Sequence, residues 1–205
     1  MRSSFRVNEV FRSKQGEGHR AGSENVFVRF TGCNLRCAKE AGPRSPGGFD
    51  CDTEFMSGLW MATHELLSAI ERSAIGSDKA VILTGGEPML QVDAQLVDTL
   101  HRLGFYVAIE TNGAFPVPAN VDWITVSPKV AEHCIRQRTA SEVKYVRHLG
   151  QALPVTCVKA EHYFLSPGFE GNEVDIQTLE YVRDLAVRNP PWQLSVQQHK
   201  FWGIR

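Results

Sequence analysis

Three cysteines near the N-terminus have a spacing that suits a metal centre. Three residues separate Cys33 from Cys37, and a further thirteen separate Cys37 from Cys51. Three thiolates can hold three irons of a cubane [4Fe–4S] cluster and leave the fourth iron open for chemistry, whereas clusters that only transfer electrons usually have four protein ligands. A zinc site completed by His19 or His64 is the alternative. The cysteines alone leave both open, because their spacing fits neither common zinc pattern.

Apolar stretches precede the cysteines and two further polar loops. The stretch at 26–30 runs into Cys33, the stretch at 80–84 runs into Gly85-Gly86-Glu87-Pro88, and the stretch at 105–110 runs into Thr-Asn-Gly113. A parallel sheet presents its functional site at the carboxyl ends of its strands. We therefore expect the three loops to meet at one edge of a sheet.

Strand and helix patterns alternate along the chain. Helical spacing covers 63–73, 92–103 and 176–188, with Thr63 as the expected N-cap of the first helix and Gly104 ending the second. Predicted strands lie at 26–30, 80–84, 105–110, 123–126, 142–146, 162–166 and 193–197. This alternation predicts an α/β fold with a parallel sheet. About six strands are too few for a complete eight-fold barrel, which needs ~250 residues.

The order of these motifs resembles that of the 7-carboxy-7-deazaguanine synthases of the radical S-adenosylmethionine (SAM) superfamily. The matching motifs are Gln15-Gly16-Glu17-Gly18, the cysteine loop, Cys51-Asp52-Thr53, Gly85-Gly86-Glu87-Pro88, Glu110-Thr111-Asn112-Gly113, Ser127-Pro128-Lys129 and the segment 194–200. The likeness runs from about Val7 to the C-terminus. It implies an open, shortened (partial) radical SAM β/α barrel, and we expect residues 1–205 to form one domain.

The cluster loop departs from the superfamily's usual C-x3-C-x2-C pattern. The insert at 38–50 is rich in glycine and proline, which is typical of a loop. Loop closure costs grow only with the logarithm of length, so such an insert is cheap. Cys51 precedes Asp-Thr, as the third cysteine of the family does. We therefore keep Cys51 as the third ligand and expect the insert to be dispensable for cluster assembly.

The resemblance implies conversion of 6-carboxy-5,6,7,8-tetrahydropterin to 7-carboxy-7-deazaguanine with loss of ammonia, in queuosine or other deazapurine biosynthesis. The implied cofactors are a [4Fe–4S] cluster, SAM and Mg2+. An external donor such as flavodoxin or ferredoxin reduces the cluster, and SAM then yields a 5′-deoxyadenosyl radical that removes hydrogen from C6 of the pterin. Mg2+ assists the ring contraction, and SAM is regenerated. The family likeness also implies a homodimer.

Site residues follow from the motif matches, and the cofactors rather than any catalytic side chain perform the hard step. The implied metal ligands are Cys33, Cys37 and Cys51 for the cluster and Thr53 for Mg2+. The implied SAM contacts are Asp50, Asp52, Gly86, Glu87, Ser127, Pro128, Lys129, Pro167, Gly168, Phe169 and Glu170. The implied substrate contacts are Lys14, Gln15, Gly16, Glu17, Arg29, Thr84, His199 and Arg205.

Several of these residues also have a plain structural interpretation. Arg29 lies in an apolar strand and needs an anion, which is either a structural ion-pair partner or the substrate carboxylate. Thr53 is either a turn residue or a Mg2+ ligand. Glu87 either accepts from the SAM amine or only braces its loop. We expect Cys134 and Cys157 to be outside the cluster site.

Composition limits the other functions. The net charge is −1 with no basic run, so direct nucleic-acid binding has no electrostatic support. No signal-peptide pattern and no membrane-length apolar run occur, and five cysteines suit a reducing compartment, so a cytoplasmic location is expected. Two rival functions are a radical SAM activase of a partner protein and a non-enzymatic zinc-binding module.

Overall fold

The computed structural model describes residues 2–38, 51, 53–76 and 79–204. In chain order the elements are β1 (Ser4–Lys14), β2 (Glu24–Phe30), β3 (Leu59–Ala62), α1 (Thr63–Ser73), β4 (Ala80–Gly85), α2 (Ala94–Arg102), β5 (Tyr106–Thr111), β6 (Trp123–Val126), β7 (Thr139–Arg147), β8 (Lys159–Pro167), β9 (Phe169–Glu170), β10 (Glu173–Val174), α3 (Ile176–Arg188), β11 (Trp192–Leu194) and α4 (Gln198–Trp202).

Within these ranges a nine-stranded sheet forms the frame, in the order β11-β8-β7-β6-β5-β4-β2-β1-β3. In this sheet the neighbouring strands pair in parallel from β11 through β8, β7, β6, β5 and β4 to β2. The strands β1 and β3 add an antiparallel edge. The predicted α/β class with a parallel sheet is confirmed, and all predicted strands join this sheet. The antiparallel edge was missed, because the mixed polar sequence of β1 and the four residues of β3 give weak strand signals.

Helices cover the outer face of the sheet. Leu66 of α1 and Leu96 of α2 are fully buried in a core with Val28, and Val182 of α3 packs in a second core with Leu165. The bounds of α1 and α3 match the prediction, whereas α2 begins two residues later than predicted. No helix in the described ranges is long and apolar enough to cross a membrane.

The expected N-cap of α1 was wrong by one residue. Ala62 occupies the N-cap position, and its backbone N–H donates to the Glu65 carboxylate at 2.6 Å. The Thr63 hydroxyl instead donates to the backbone carbonyl of Arg2 at 2.7 Å. The Thr63 hydroxyl that could have capped the helix is therefore used in a contact with the segment before β1. Gly104 ends α2 as predicted, at a positive φ of 83°.

The inner face of the sheet carries an apolar layer and, beside it, a layer of polar and charged side chains. Phe27, Ile82 and Ala108 form a small apolar layer on β2, β4 and β5. Two residues further along each strand, the same face carries Arg29, Thr84 and Glu110, which the strand register sets side by side. The register continues through Thr125 to Glu142 on β7. A polar layer therefore crosses the sheet below the loops at its carboxyl ends.

Candidate active site

The cysteine loop follows β2 directly. Cys33 is half-buried, and the backbone N–H of Leu35 donates to its sulfur at 3.4 Å. Burial raises the pKa of Cys33 to about 11, and the negative charges of Glu87, Cys37 and Cys51 act in the same direction. Burial and the charge of Cys51 also raise the pKa of Cys37. The three thiols are thus close enough to repel one another as thiolates, a repulsion that bound iron would relieve.

The donor set suits an iron–sulfur cluster. Soft thiolates favour Fe–S clusters, and a cubane places each thiolate on a different iron. In the described part of the chain, no three His, Cys, Asp or Glu side chains gather around a point that could hold one metal ion. His19 stacks on His162 with ring centroids 3.8 Å apart, and His64 is exposed on α1. Among the described residues, neither histidine belongs to a group of three or more ligand-type side chains that could hold a metal ion.

The Gly-Gly-Glu-Pro loop lies against the cysteine loop. The N–H of Gly86 donates to the Phe30 carbonyl at 3.1 Å, and the N–H of Glu87 donates to the Gly32 carbonyl at 2.9 Å. A side chain at Gly86 would collide with the Gly32 carbonyl and crowd Cys33. Only glycine therefore permits this approach. The Gly86 backbone is therefore held directly beside Cys33.

Glu87 is a brace in this structure. Its carboxylate is fully buried and accepts from the Asn112 N–H at 2.8 Å, the Thr111 hydroxyl at 2.7 Å and the Met89 N–H at 3.1 Å. Burial raises its pKa, and these hydrogen bonds act in the opposite direction. Of the two interpretations of Glu87, the contacts favour bracing, and direct contact with SAM stays a prediction.

The remaining SAM-side residues lie on neighbouring loops. Ser127 follows β6, where its N–H donates to the Thr111 carbonyl at 2.8 Å, Pro128 is buried, and Lys129 donates to the Ser127 hydroxyl at 2.9 Å. The positive charge of Lys129 acts to lower the pKa of Cys37, against the effect of burial. Asp50 and Asp52 lie outside the described residues.

The predicted SAM stretch at 167–170 spans the end of β8 and the start of a small hairpin. Pro167 ends β8, and the N–H of Gly168 donates to the Arg147 carbonyl at 3.1 Å. Phe169 packs edge-on against Phe201 of α4 with centroids 5.9 Å apart, and Glu170 is exposed. This hairpin is therefore tied to the C-terminal segment.

On the substrate side, the loop after β1 passes over the inner face of the sheet. Gln15 is buried, and its amide donates to Glu110 at 2.7 Å. The other oxygen of Glu110 accepts from the Thr84 hydroxyl at 3.0 Å. One carboxylate on β5 thus joins two predicted substrate contacts, Gln15 and Thr84.

The next residues of this loop are held from β7 and the C-terminal segment. The N–H of Gly18 donates to the Ser195 hydroxyl and the N–H of His19 donates to Glu142, both at 2.9 Å. The Glu17 carboxylate contacts the ammonium of Lys144. Burial raises the pKa of Glu142. The hydrogen bonds that it accepts from His19 and Thr125 act in the opposite direction and lower the pKa.

The C-terminal segment closes over the same loop. The N–H of Gln198 donates to the Gly16 carbonyl at 2.9 Å, and the His199 ring occupies the space that a side chain at Gly16 would need. Lys14 is exposed and lines a cavity of about 300 Å³ with Gly22, Trp202 and Ile204. The structure thus brings His199 to the predicted substrate loop, whereas Arg205 lies outside the described residues.

Arg29 has the structural ion-pair partner that one interpretation requires, and its contact with the substrate carboxylate stays a prediction. Its Nε donates to Glu9 at 2.9 Å, and both side chains are about a quarter exposed, at 23% and 24%. Its two terminal nitrogens form no hydrogen bond with any described residue, so one edge of the guanidinium can still bind a carboxylate. Thr53 follows Cys51, whose thiol lies 3.7 Å from the Thr53 carbonyl. Its role as a Mg2+ ligand stays a prediction.

Four residues of the site were missed as individual contacts. Glu110 and Asn112 lie in the Glu-Thr-Asn-Gly motif, which contributed to the family resemblance without a role for either residue. In the structure, Asn112 Nδ2 lies 4.0 Å from the Cys33 sulfur. Glu142 and Lys144 lie two apart in a predicted strand, alternating with the apolar residues Val143 and Tyr145. Because alternate strand residues share a face, this pattern could have indicated a polar inner face.

Known proteins are similar to this chain over nearly its whole length. The 7-carboxy-7-deazaguanine synthase of Bradyrhizobium diazoefficiens is 40% identical over 212 residues, which cover 98% of this chain and 100% of the relative. The synthase of Bacteroides thetaiotaomicron is 39% identical, with 98% of each chain covered. The crystal structure of QueE from Escherichia coli shares the fold, with a TM-score of 0.67 at 24% identity over 96% of this chain and 95% of that one. No family model matches the chain.

Proposed function

The chain belongs to the 7-carboxy-7-deazaguanine synthase family, and we propose that it converts 6-carboxy-5,6,7,8-tetrahydropterin to 7-carboxy-7-deazaguanine and ammonia. It is a radical SAM lyase. The [4Fe–4S] cluster and SAM, when bound, supply the one-electron chemistry, with Mg2+ assisting the ring contraction. We also propose that residues 1–205 form one domain, because strands from both ends of the chain share a sheet.

The observation that carries the substrate assignment is the arrangement of Arg29. The terminal nitrogens of its guanidinium are not hydrogen-bonded within the described residues, while Glu9 fixes its Nε. A guanidinium held in this way can form a bidentate pair with the pterin carboxylate. Arg29 also lies on the strand that leads directly into Cys33, so a carboxylate bound there is close to the cluster loop.

The remaining assignments divide between two sets of contacts. The residues proposed to contact SAM are Asp50, Asp52, Gly86, Glu87, Ser127, Pro128, Lys129, Pro167, Gly168, Phe169 and Glu170. The residues proposed to contact the pterin are Lys14, Gln15, Gly16, Glu17, Thr84, His199 and Arg205. Thr53 is proposed as the Mg2+ ligand, because Mg2+ takes oxygen donors and needs few from the protein when the substrate supplies others.

The site also implies partners. A cluster that starts the reaction must be reduced, so we propose an external electron donor such as flavodoxin or ferredoxin. From its membership of the family, we propose that the protein forms a homodimer and acts in the biosynthesis of queuosine or another deazapurine. A cytoplasmic location suits thiolate ligands, which need a reducing compartment. The named relatives do not favour the activase or the zinc-binding module.

The proposed function is tested with anaerobically reconstituted protein. Incubation with 6-carboxytetrahydropterin, SAM, Mg2+ and a chemical reductant should yield 7-carboxy-7-deazaguanine, detected by mass spectrometry, together with ammonia. Tetrahydropterin lacking the carboxylate is the matched control and should give no product. If SAM is cleaved but the carboxylated pterin is returned unchanged, the chain is a radical SAM enzyme with another substrate.

A further inference from the structure

An ion pair joins the loop at 15–19 that follows β1, here called the substrate loop, to the distant strand β7 of the same sheet. Lys144 lies in β7, which four strands separate from β1, and its ammonium contacts the carboxylate of Glu17, three residues past the end of β1. Both side chains are largely buried, with 12% and 13% of their surface exposed. The substrate loop therefore reaches across the inner face of the sheet from β1 to β7.

The loop is also held by contacts other than this ion pair. Gln15 is tied to Glu110, Gly18 to Ser195, and the backbone of His19 to Glu142. The Gly16 carbonyl accepts from the N–H of Gln198. Every neighbour of Glu17 in the loop is thus anchored separately.

The free energy of such a pair also argues against a purely structural role. Desolvation of two buried charges can exceed their attraction, so a buried ion pair is weak evidence for stabilisation. Burial lowers the pKa of Lys144 to about 8. A charged lysine at this depth is costly, which suggests that its charge serves something other than folding.

A carboxylate beside an ammonium remains ionised, and an ionised carboxylate is purely an acceptor. The amino-pyrimidinone edge of a pterin offers adjacent N–H donors, which a carboxylate with a free oxygen can accept. We propose that Lys144 is a positioning residue that holds Glu17 ionised and oriented for the N–H edge of the substrate heterocycle. This inference rests on the proposed function only in taking the ligand to be a pterin.

The test compares Lys144→Met with Lys144→Arg in the reconstituted protein. Lys144→Met removes the charge while keeping much of the length, and it should weaken binding of the probe pterin-6-carboxylate at least about tenfold. Lys144→Arg keeps the charge and should recover most of the affinity. SAM affinity, measured without pterin, should stay within about twofold of the wild type in both variants, because the pair touches only the substrate loop.

Glu17 provides the second arm of the test. Glu17→Gln should weaken pterin binding by itself, and Lys144→Met added to Glu17→Gln should cause little further loss, because the lysine acts through the carboxylate. Lys144→Met that lowers the melting temperature but leaves pterin affinity intact would overturn the inference and make the pair structural. Wild-type protein that binds SAM but no pterin would overturn the proposed function, and this inference with it.

Discussion

The Glu87 carboxylate accepts a hydrogen bond from the Thr111 hydroxyl at 2.7 Å and so joins the loop after β4 to the end of β5. Thr111 in turn accepts, through its carbonyl, from the N–H of Ser127 after β6. Asn112 extends this chain to the cysteine loop, because its amide donates to the Asn34 side chain at 2.9 Å. Four loops that surround the proposed cluster and SAM site are thus connected by hydrogen bonds.

Glu87→Ala should destabilise the empty protein strongly. The change leaves the buried N–H of Asn112 and the part-buried N–H of Met89 without their acceptor, and an unsatisfied buried polar group costs about 1–3 kcal/mol. We expect a loss of about 3 kcal/mol in the free energy of unfolding, measured by urea denaturation. Thr111→Val keeps the volume but removes one donor to Glu87 and the acceptor of the Gly113 N–H, and its smaller loss is the control. Equal stability of Glu87→Ala and wild type would exclude the brace.

Cysteine replacement should separate the cluster ligands from the other cysteines. Cys33→Ala, Cys37→Ala and Cys51→Ala should each lose most of the iron and sulfide after reconstitution, since each removes a thiolate ligand. Cys134→Ala and Cys157→Ala are matched controls and should retain them. Full iron incorporation by Cys51→Ala would remove Cys51 from the ligand set.

Thr53→Ala should raise the Mg2+ concentration needed for half-maximal turnover, because an oxygen donor is removed from the proposed ion. SAM cleavage without pterin should be almost unchanged. Thr53→Ser keeps the hydroxyl and should behave like the wild type. The same Mg2+ requirement in all three proteins would leave Thr53 a turn residue.

Arg29→Lys and Arg29→Met should both weaken substrate binding, the second more strongly. Lysine keeps the charge but loses the paired donors, and methionine loses both. We expect at least about tenfold weaker pterin affinity for Arg29→Met, measured by titration in the presence of SAM, with SAM affinity little changed. If Arg29→Met mainly lowers the melting temperature, the Glu9 ion pair is the reason for the arginine.

Alkaline pH should affect substrate binding and stability in opposite directions through Lys144. Its pKa is about 8 in the folded protein, against an ordinary value of 10.5. The unfolded chain therefore binds more protons between these values, and this group makes the fold more stable as pH rises through them. Pterin binding should weaken over the same range as Glu17 loses its charged partner, and Lys144→Arg should abolish that weakening. Pterin affinity measured across this range, beside urea denaturation, provides the check.

The sequence by itself determined the local elements and the loops that carry the cysteines, Gly86 and Ser127. The helices α1 and α3 were predicted at their observed bounds, because amphipathic spacing lies within each segment, although the N-cap of α1 was wrong by one residue. The loops could be expected at one edge, because parallel strands align their carboxyl ends. The spacing of the three cysteines indicated a metal centre for a similar local reason, whereas the choice of a cluster over zinc came from the family resemblance.

Only the tertiary structure decided which polar groups meet across the sheet. Gln15 reaches Glu110 over 95 positions of sequence, and Glu17 reaches Lys144 from a loop on the opposite side of the inner face. Periodicity shows that Glu142 and Lys144 share a strand face, but the order of strands sets which loop covers that face. Likewise, the bracing role of Glu87 depends on β5 lying beside β4, because its hydrogen-bond donors come from the end of that neighbouring strand.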